Sequence, residues 1–299
     1  MERVDLVIIG ATSGEIAPLF GSLKPTSSVA VEAPRTESPG SGSAPGAALT
    51  WGAGNPLPGF APGERQVEIA GNLFTTYVYR DLKLLVGTTG IGKVNAAAVA
   101  AALLSEFKPG EVWNVGCAGA YGGCGLEIGD VLIAENCICG DEGILGKKGP
   151  MPTSSLKIPL ILRNGVPFYD CFPLDEFLAR RRIRALLPAG AYGADRDRGV
   201  HKGGRFKVQY GPTLTVSMTS GDIDTAEARF GRFGALAENM EASAIAQTCM
   251  LFNAAFLEIR GISNVAGVRD KAKWDIGAAI QNCHLVVKCL LDNEPRAEV

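Results

Sequence analysis

The sequence predicts an α/β fold in which strands alternate with helices around one core. Three observations support this prediction. Residues 4–10 form an apolar, β-branched run that ends in glycine, which is typical of a buried strand. The alanine- and leucine-rich segment GKVNAAAVAAALLSEF, residues 92–107, predicts a helix that ends before a Lys-Pro-Gly turn. Turns of small residues separate further apolar runs, so we expect a layered α/β sandwich.

A single domain with one insertion accounts for the length and composition of the chain. Its 299 residues are 46% hydrophobic and 20% charged, enough for one sizeable core, so we expect one domain over residues 1–299. Residues 36–64 are mostly Pro, Gly, Ser and Ala and cannot bury enough apolar surface to offset their ordering entropy. We therefore predict an insertion at about residues 19–64, within which residues 36–64 form a disordered loop. Because the loop contains the apolar residues Trp51 and Phe60, a lid that closes over a ligand is the alternative.

The remaining elements follow from short apolar runs and the turn residues between them. Strands are predicted at 71–80, 82–88, 112–115, 130–134, 213–219 and 255–259, and helices at 174–187, 235–252 and 273–291. The segments GCAG (116–119) and RGISNVAGVRD (260–270) contain small and turn-forming residues, and we interpret both as turns.

Charge and cysteine content exclude several classes of protein. The chain has 29 basic and 31 acidic residues, a formal net charge of -2, so no nucleic-acid or membrane partner is indicated. The N-terminal run is interpreted as a strand rather than a signal peptide, and no apolar run approaches membrane-spanning length. The 8 cysteines are irregularly spaced and match no zinc motif. We expect a cytoplasmic protein with reduced thiols.

The segment VGTTGIGKV fits part of a phosphate-binding loop. From Gly87 to Lys93 it matches G-x-x-x-x-G-K, but Val94 stands where a Ser or Thr hydroxyl must hold magnesium. The next strand also lacks an acid at its end, because Asp130 precedes it and Glu135 lies among turn residues. The segment is therefore not interpreted as a triphosphate site.

The sequence offers few of the residues that covalent or metal-dependent hydrolysis needs. The chain has only 2 histidines, His201 and His284, and neither lies near a nucleophile-elbow sequence. A hydrolytic metal site needs more nitrogen ligands or clustered carboxylates than the sequence offers. We predict no metal and no cofactor.

Three polar residues follow predicted strands and are candidates for a shared site. Glu15 follows the first strand, Glu241 stands in ENMEASA, and Asn264 follows the strand at 255–259. Ligands of α/β sheets bind beyond the carboxyl ends of the strands, so these side chains can converge on one crevice. Taken singly, Glu15 also suits a helix N-terminus, Glu241 a capping position and Asn264 a turn.

Four ordered motifs resemble those of the nucleoside phosphorylase and nucleosidase superfamily, and within it the futalosine hydrolases. They are GIGKV before an alanine-rich helix, NVGCAGAYGGCGLEIGDVLIAENC, ENMEASAIAQTC and RGISNVAG. The resemblance covers residues 4–15, 84–143 and 216–291. It implies a three-layer α/β/α sandwich with a central mixed β-sheet, N-glycosidic hydrolysis of a purine nucleoside, and a homo-oligomer.

The resemblance also implies roles for individual residues. Glu241 would accept hydrogen bonds from the ribose 2′- and 3′-hydroxyls, and Met240 would pack on the sugar, although a core methionine explains it equally well. Glu15 would orient and deprotonate the attacking water. Arg260 would brace a loop of the site. The glycine-rich turn that contains Ile91 would border the ribose end of the pocket.

Base and sugar would rest on the segment Cys117-Ala118-Gly119, which contributes mainly backbone. Position 264 would select the base, since relatives that cleave adenine nucleosides carry Asp there. Asn264 has two N–H groups to donate to N7 and O6 of a 6-oxopurine, whereas a carboxylate would repel O6. This predicts hypoxanthine as leaving group, hence futalosine as substrate and menaquinone biosynthesis as the pathway.

Water is favoured over phosphate as the nucleophile. A phosphorylase needs several cationic donors, yet residues 10–20 contain none, Glu15 would repel phosphate, and Lys93 is expected to turn outward. A phosphorylase with cations from residues 174–205 or a neighbouring subunit, a nucleosidase for methylthioadenosine or aminofutalosine, and a non-catalytic nucleoside-binding protein are the alternatives. Candidates for binding the carboxylate tail of futalosine are Arg232, Arg269 and Lys93.

Overall fold

The computed structural model describes residues 4–20, 60–147, 149–174 and 206–292. Its strands are β1 (Leu6–Gly10), β2 (Phe60–Ile69), β3 (Asn72–Tyr79), β4 (Leu82–Thr88), β5 (Glu111–Ala120), β6 (Val131–Cys139), β7 (Ile144–Gly146), β8 (Gly149–Met151), β9 (Ile161–Arg163), β10 (Val166–Phe168), β11 (Cys171–Pro173), β12 (Val208–Thr215), β13 (Ala237–Asn239) and β14 (Ala255–Val265). The α-helices described are α1 (Ser13–Phe20), α2 (Lys93–Phe107), α3 (Ile223–Phe233), α4 (Ala242–Phe252) and α5 (Ile276–Asp292). None of these helices is both long and apolar enough to cross a membrane.

Ten of the strands form one mixed sheet, as the resemblance implied. Nine follow the order β11-β6-β12-β13-β5-β1-β4-β3-β2, and β14 pairs with both β5 and β6. The β14–β5 pair is parallel, whereas β14–β6 and β13–β5 are antiparallel. Because β12 joins β6 to β13, five strands close into a ring, β5-β14-β6-β12-β13.

Helices cover both faces of this sheet. In β1, Val7 and Ile9 pack in a cluster that includes α2 and α4, whereas Leu6 and Ile8 pack in a cluster that includes α1 and α5. This alternation is the period of two expected for a strand buried on both faces. Each such fully buried side chain contributes roughly 1.5–3 kcal/mol through removal of apolar surface from water. The predicted three-layer α/β/α sandwich is confirmed.

Regular secondary structure extends into both ends of the predicted insertion. Helix α1 continues to Phe20 and strand β2 begins at Phe60, so residues 19–20 and 60–64 belong to regular elements. The intervening residues 21–59, with Trp51, lie outside the described residues. The predicted helix at 174–187 also lies outside them beyond Leu174.

Both predicted turns in the second half of the sheet are in fact strands. Residues 116–119 belong to β5, and residues 260–265 belong to β14. Small residues there reflect close packing, because a Cβ on Gly116 would overlap the side chains of Glu15 and Arg260. The predicted helix at 235–252 was wrong at its start, since residues 237–239 form β13 and α4 begins at Ala242.

Gly261 allows β14 to pack directly on helix α5. A Cβ at this position would overlap the main-chain carbonyl of Ala279, which cannot move without displacing the helix. We expect Gly261→Ala to lower the free energy of unfolding by about 1–3 kcal/mol, because overpacking a rigid contact forces the backbone apart. Chemical denaturation measures this loss.

Gly277→Ala, on the same helix, is the matched control. Its added Cβ would come within 3.6 Å of Asp275 Oδ1, an ordinary van der Waals contact. We expect equal or slightly greater stability, by up to about 1 kcal/mol, because alanine favours helix over glycine. Equal unfolding free energies for Gly261→Ala and the wild type would contradict the packing account.

Candidate active site

A cavity of about 340 Å³ opens at the carboxyl ends of the strands β1, β5 and β14. Its volume is within the range of small-molecule sites. The cavity brings together all eight residues that the sequence predicted for the site: Glu15, Ile91, Cys117, Ala118, Gly119, Met240, Glu241 and Asn264.

Strand register explains why distant parts of the sequence meet here. Gly119 of β5 pairs with Glu238 of β13 on one side and with Asn264 of β14 on the other. Glu238 and Asn264 therefore flank Gly119 on adjacent strands, roughly 10 Å apart across the sheet. Gly119 leaves room for this arrangement, since a Cβ there would lie 3.2 Å from Asn264 Nδ2.

Glu15 is held rigidly in the first turn of α1. Its Oε2 accepts from the backbone N–H of Thr12 at 2.9 Å, and its Oε1 accepts from the backbone N–H of Cys117 at 3.0 Å. The carboxylate is 6% exposed and faces the cavity. Each oxygen has a second, longer contact, from Thr12 Oγ1 at 3.4 Å and from Cys117 Sγ at 3.6 Å, and a ligand or water can replace these weak donors.

The glycine-rich turn serves the second carboxylate. Gly90 and Gly92 have φ of 81° and 93°, a region that L-residues rarely adopt. This backbone directs the Gly92 N–H onto Glu241 Oε1 at 2.9 Å. The turn therefore binds a carboxylate of the protein itself. This explains why its glycines match only part of the phosphate-loop motif. Burial raises the pKa of Glu241, and the charge of Arg260 opposes this.

Arg260 links the carboxylates of the site, a larger role than the predicted bracing of a loop. Its guanidinium is 1% exposed and binds Glu258 through Nε. Nη1 lies 4.0 Å from Glu15 Oε1, and Nη2 lies 3.9 Å from Glu241 Oε2. Among the described residues Nη2 has no hydrogen-bond partner. One cation is therefore shared by three acids, and only Glu258 contacts it directly.

Glu258 and Asn114 complete this buried array. Glu258 is fully buried, and its Oε2 accepts from Asn114 Nδ2 at 2.7 Å. Burial raises the pKa of Glu258 to about 7, although Arg260 and the hydrogen bonds favour the charged form. Within the described part of the chain, Asn114 Oδ1 has no partner. Rotation of the Asn114 amide would let Oδ1 accept a hydrogen bond from the protonated carboxyl group of Glu258.

Asn264 presents a fixed amide to the cavity. Ser263 Oγ lies 2.8 Å from Oδ1 and donates to it, and Nδ2 donates to the carbonyl of Val265 at 2.9 Å. One of the two N–H groups is therefore already used. The expectation that Asn264 donates twice to a base is wrong for this conformation, which leaves one N–H for a ligand.

Two further titratable groups near Glu15 are unsuited to acid–base chemistry at neutral pH. Burial, with the nearby charge of Glu15, raises the pKa of the Cys117 thiol to about 12, so this thiol stays protonated. Burial lowers the pKa of His284 to about 4, and its neutral ring donates through Nε2 to the Glu15 carbonyl at 2.6 Å. His284 anchors the backbone of Glu15, while His201 lies outside the described residues.

Glu238 is a lining residue that the sequence reasoning missed. It is 5% exposed and accepts from Tyr121 Oη at 3.0 Å, from Ser220 Oγ at 2.7 Å and from Arg229 Nη1 at 3.1 Å. The sequence predicted a helix over residues 235–252, so it gave no reason to expect the Glu238 side chain in the cavity. Its assignment to a strand, three residues before Glu241, would have placed it in the same crevice.

The three candidate cations for a ligand tail have different surroundings. Lys93 does not line the cavity, as expected, and its Nζ instead binds Asp141 at 2.6 Å and Glu142 at 3.0 Å. Arg232 stacks on Phe233, at 4.9 Å from the ring centroid, and does not line the cavity. Arg269 does line it.

Comparisons with known proteins agree with this geometry. A profile described as the phosphorylase superfamily matches residues 55–291. The chain is 32% identical to futalosine hydrolase of Thermus thermophilus over 229 residues, 76% of this chain and 90% of that protein. It is 29% identical to a 5′-methylthioadenosine/S-adenosylhomocysteine nucleosidase of Bacillus pumilus over 232 residues, 75% of this chain and 88% of that protein.

Solved structures share the fold over nearly the whole chain. Native futalosine hydrolase of Helicobacter pylori superimposes with a TM-score of 0.66 at 18% identity, covering 97% of each chain. The adenine complex of a 5′-methylthioadenosine/S-adenosylhomocysteine nucleosidase from Colwellia psychrerythraea gives a TM-score of 0.66 at 19% identity, covering 97% of this chain and 96% of that one.

The raised pKa of Glu258 predicts a specific pH dependence of stability. Between pH 4.5 and about 7 the folded state retains a proton that the unfolded state loses, so the wild type loses stability as the pH rises through this window. Glu258→Gln cannot titrate and keeps an acceptor for Arg260. We therefore expect the free energy of unfolding of Glu258→Gln, minus that of the wild type, to increase by roughly 1–3 kcal/mol between pH 5 and pH 7.5.

Denaturant unfolding of both proteins at several pH values measures this difference. Glu227→Gln, on the exposed face of α3, is the control and should differ from the wild type by a constant amount. A difference between Glu258→Gln and the wild type that does not change with pH would contradict the raised pKa.

Proposed function

The chain belongs to the phosphorylase superfamily as an N-glycosyl hydrolase, and we propose that it hydrolyses futalosine to hypoxanthine and dehypoxanthine futalosine, a reaction of menaquinone biosynthesis. The observation that carries this proposal is the convergence of Glu15, Glu241 and the amide of Asn264 on one cavity. Cleavage of an N-glycosidic bond builds positive charge on the sugar and negative charge on the base. A site for this reaction needs carboxylates near the ribose and hydrogen-bond donors at the purine.

Glu15 is the proposed base for the attacking water. Its carboxylate is oriented by the backbone N–H groups of Thr12 and Cys117, and the water would replace one of the longer contacts, from Thr12 Oγ1 or Cys117 Sγ. Arg260 Nη1 lies 4.0 Å from Glu15 Oε1, near enough to balance the carboxylate charge but without a direct hydrogen bond that would occupy the carboxylate. A bond from the water oxygen to the anomeric carbon forms as the N-glycosidic bond breaks, and the water gives a proton to Glu15. The base departs as an anion and takes up a proton from solvent to give hypoxanthine, and Glu15 then returns its proton to solvent.

Glu241 is the proposed ribose ligand. The Gly92 N–H donates to Oε1 at 2.9 Å, whereas Oε2 lies 3.9 Å from Arg260 Nη2, beyond direct hydrogen-bond distance. Oε2 is thus available to accept from a sugar hydroxyl. The negative charge of Glu241 also stabilises the cationic character that the ribose develops in the transition state.

Asn264 is the proposed selector of the base. Ser263 fixes Oδ1, so the free N–H of Nδ2 is the group offered to the purine. N7 and O6 of hypoxanthine both accept hydrogen bonds, and the departing base carries extra negative charge that one N–H stabilises. The resemblance gives Asp at this position in relatives that cleave adenine nucleosides, so an amide supports a 6-oxopurine over the methylthioadenosine alternative.

Water rather than phosphate suits the charge of the cavity. Glu15, Glu238 and Glu241 line its interior, and Arg269 is the only basic residue among the described residues that line it. Incubating the protein with futalosine, with and without phosphate, tests the proposal. We expect equal release of hypoxanthine in both conditions. Release that depends on phosphate would support a phosphorylase instead, and no release from any purine nucleoside would support a binding protein.

Replacing Glu241 tests the ribose contact. We expect Glu241→Ala to lower kcat by about 10²–10³, because the variant loses a carboxylate that acts on the developing cation. Circular dichroism should show an intact fold. The control Glu227→Ala removes an exposed acid from α3 and should leave turnover unchanged. If Glu241→Ala turned over substrate nearly as fast as the wild type, the proposed role of Glu241 would be contradicted.

Replacing Asn264 tests base selection. We expect Asn264→Asp to shift the ratio of kcat/KM for futalosine over its 6-amino analogue by at least about tenfold toward the amino compound, since a carboxyl group can pair with the 6-amino group. Asn72→Asp adds the same charge at a hairpin outside the cavity and should leave the ratio unchanged. An unchanged ratio in Asn264→Asp would contradict the assignment.

A further inference from the structure

The cavity is strongly polarised between its interior and its mouth. The three lining acids, Glu15, Glu238 and Glu241, are 6%, 5% and 4% exposed. Arg269, the one basic lining residue within the described ranges, is exposed. Arg229 pairs with Glu238, and Arg260 is shared among Glu258, Glu15 and Glu241, so within the described residues the cation left to attract an anionic substituent is Arg269 at the mouth. The charge distribution therefore orients a ligand that has one neutral end and one anionic end.

Arg269 is paired with an aromatic ring rather than with an acid. Its Cζ lies 5.1 Å from the ring centroid of Trp274, within cation–π distance. Trp274 is half-buried and is fixed by a hydrogen bond from Nε1 to the Val268 carbonyl at 2.8 Å. The neighbouring Asp270 carboxylate is occupied at Ala272 N, 3.1 Å away. Arg269 makes no ion pair with any described residue, and its guanidinium can still bind a carboxylate.

An apolar wall continues from this pair into the cavity. Ile276 and Ile280 of α5 line the cavity beside Trp274. The backbone N–H of Asp275 donates to the Ser263 carbonyl at 2.9 Å, which ties the Trp274 segment to the residue before Asn264. Two apolar side chains, an indole and a guanidinium are therefore all available to the part of a ligand that lies beyond the ribose.

We propose that Arg269 and Trp274 form a subsite for an aromatic carboxylate carried on the 5′ side of the nucleoside. Arg269 would bind the carboxylate through its planar donor edge, and Trp274 would stack with the aromatic ring. The inference rests on the proposed function and deepens it. Contacts to the ribose are shared by all purine nucleosides and Asn264 addresses the base, whereas this subsite separates nucleosides by their tail, futalosine from one with an uncharged methylthio group.

Futalosine and its methyl ester are the probes, because they differ only in the charge of the tail. We expect the wild type to prefer the acid in kcat/KM by about 10–100-fold, the effect of one charged hydrogen-bonded contact of roughly 1.5–3 kcal/mol. Arg269→Met should abolish this preference, mainly through KM. Trp274→Leu should weaken acid and ester by similar factors, because stacking does not depend on the charge.

Arg232→Met is the matched control, since Arg232 also stacks on an aromatic ring but lies outside the cavity lining. It should keep the wild-type preference for the acid. Preference for the acid retained in Arg269→Met would overturn the subsite. Absence of hypoxanthine release from either probe with the wild type would contradict the proposed function instead. Calorimetric titration with futalosine would then decide the subsite, with weaker binding by Arg269→Met supporting it and equal affinity overturning it.

Discussion

The arrangement of the site depends on one buried guanidinium shared among three carboxylates. Arg260 binds Glu258 directly and stays about 4 Å from both Glu15 and Glu241. A buried cation without a partner would be costly, and so would three buried acids. Glu258 provides the direct contact, so Glu15 and Glu241 gain electrostatic support from Arg260 while their oxygens remain available. A direct, bidentate pair with either acid would occupy the lone pairs that a water or a ribose hydroxyl needs.

The closed ring of strands makes this arrangement possible. β5 carries the floor of the site and is paired on both sides, by β13 and by β14, so polar residues from two flanking strands meet over Gly119. Glycine at 116 and 119 leaves the space that the side chains of Glu15, Arg260 and Asn264 fill. At the Gly90–Gly92 turn, positive φ directs an N–H at Glu241. Glycine thus serves close approach in the strands and unusual backbone geometry in the turn.

The sequence predicted the layered fold and the composition of the site better than its geometry. Apolar periodicity located β1, β4 and α2, because their signals are local and strong. It failed at residues 116–119 and 260–265, where small residues resemble turns although they belong to strands packed against other elements. The positions of Glu15, Glu241 and Asn264 followed from strand ends and motif resemblance. The roles of Glu258, Glu238 and Ser263 in holding them depend on pairing between strands, which single-sequence patterns do not encode.

A structure with hypoxanthine and the ribosyl product bound tests the central claim most directly. The account predicts Asn264 Nδ2 at about 2.9 Å from N7 or O6 of the base, and Glu241 Oε2 at hydrogen-bond distance from a ribose hydroxyl. It also predicts Glu15 on the side of the anomeric carbon from which water attacks. A base bound away from Asn264, or a sugar that contacts neither Glu15 nor Glu241, would contradict it.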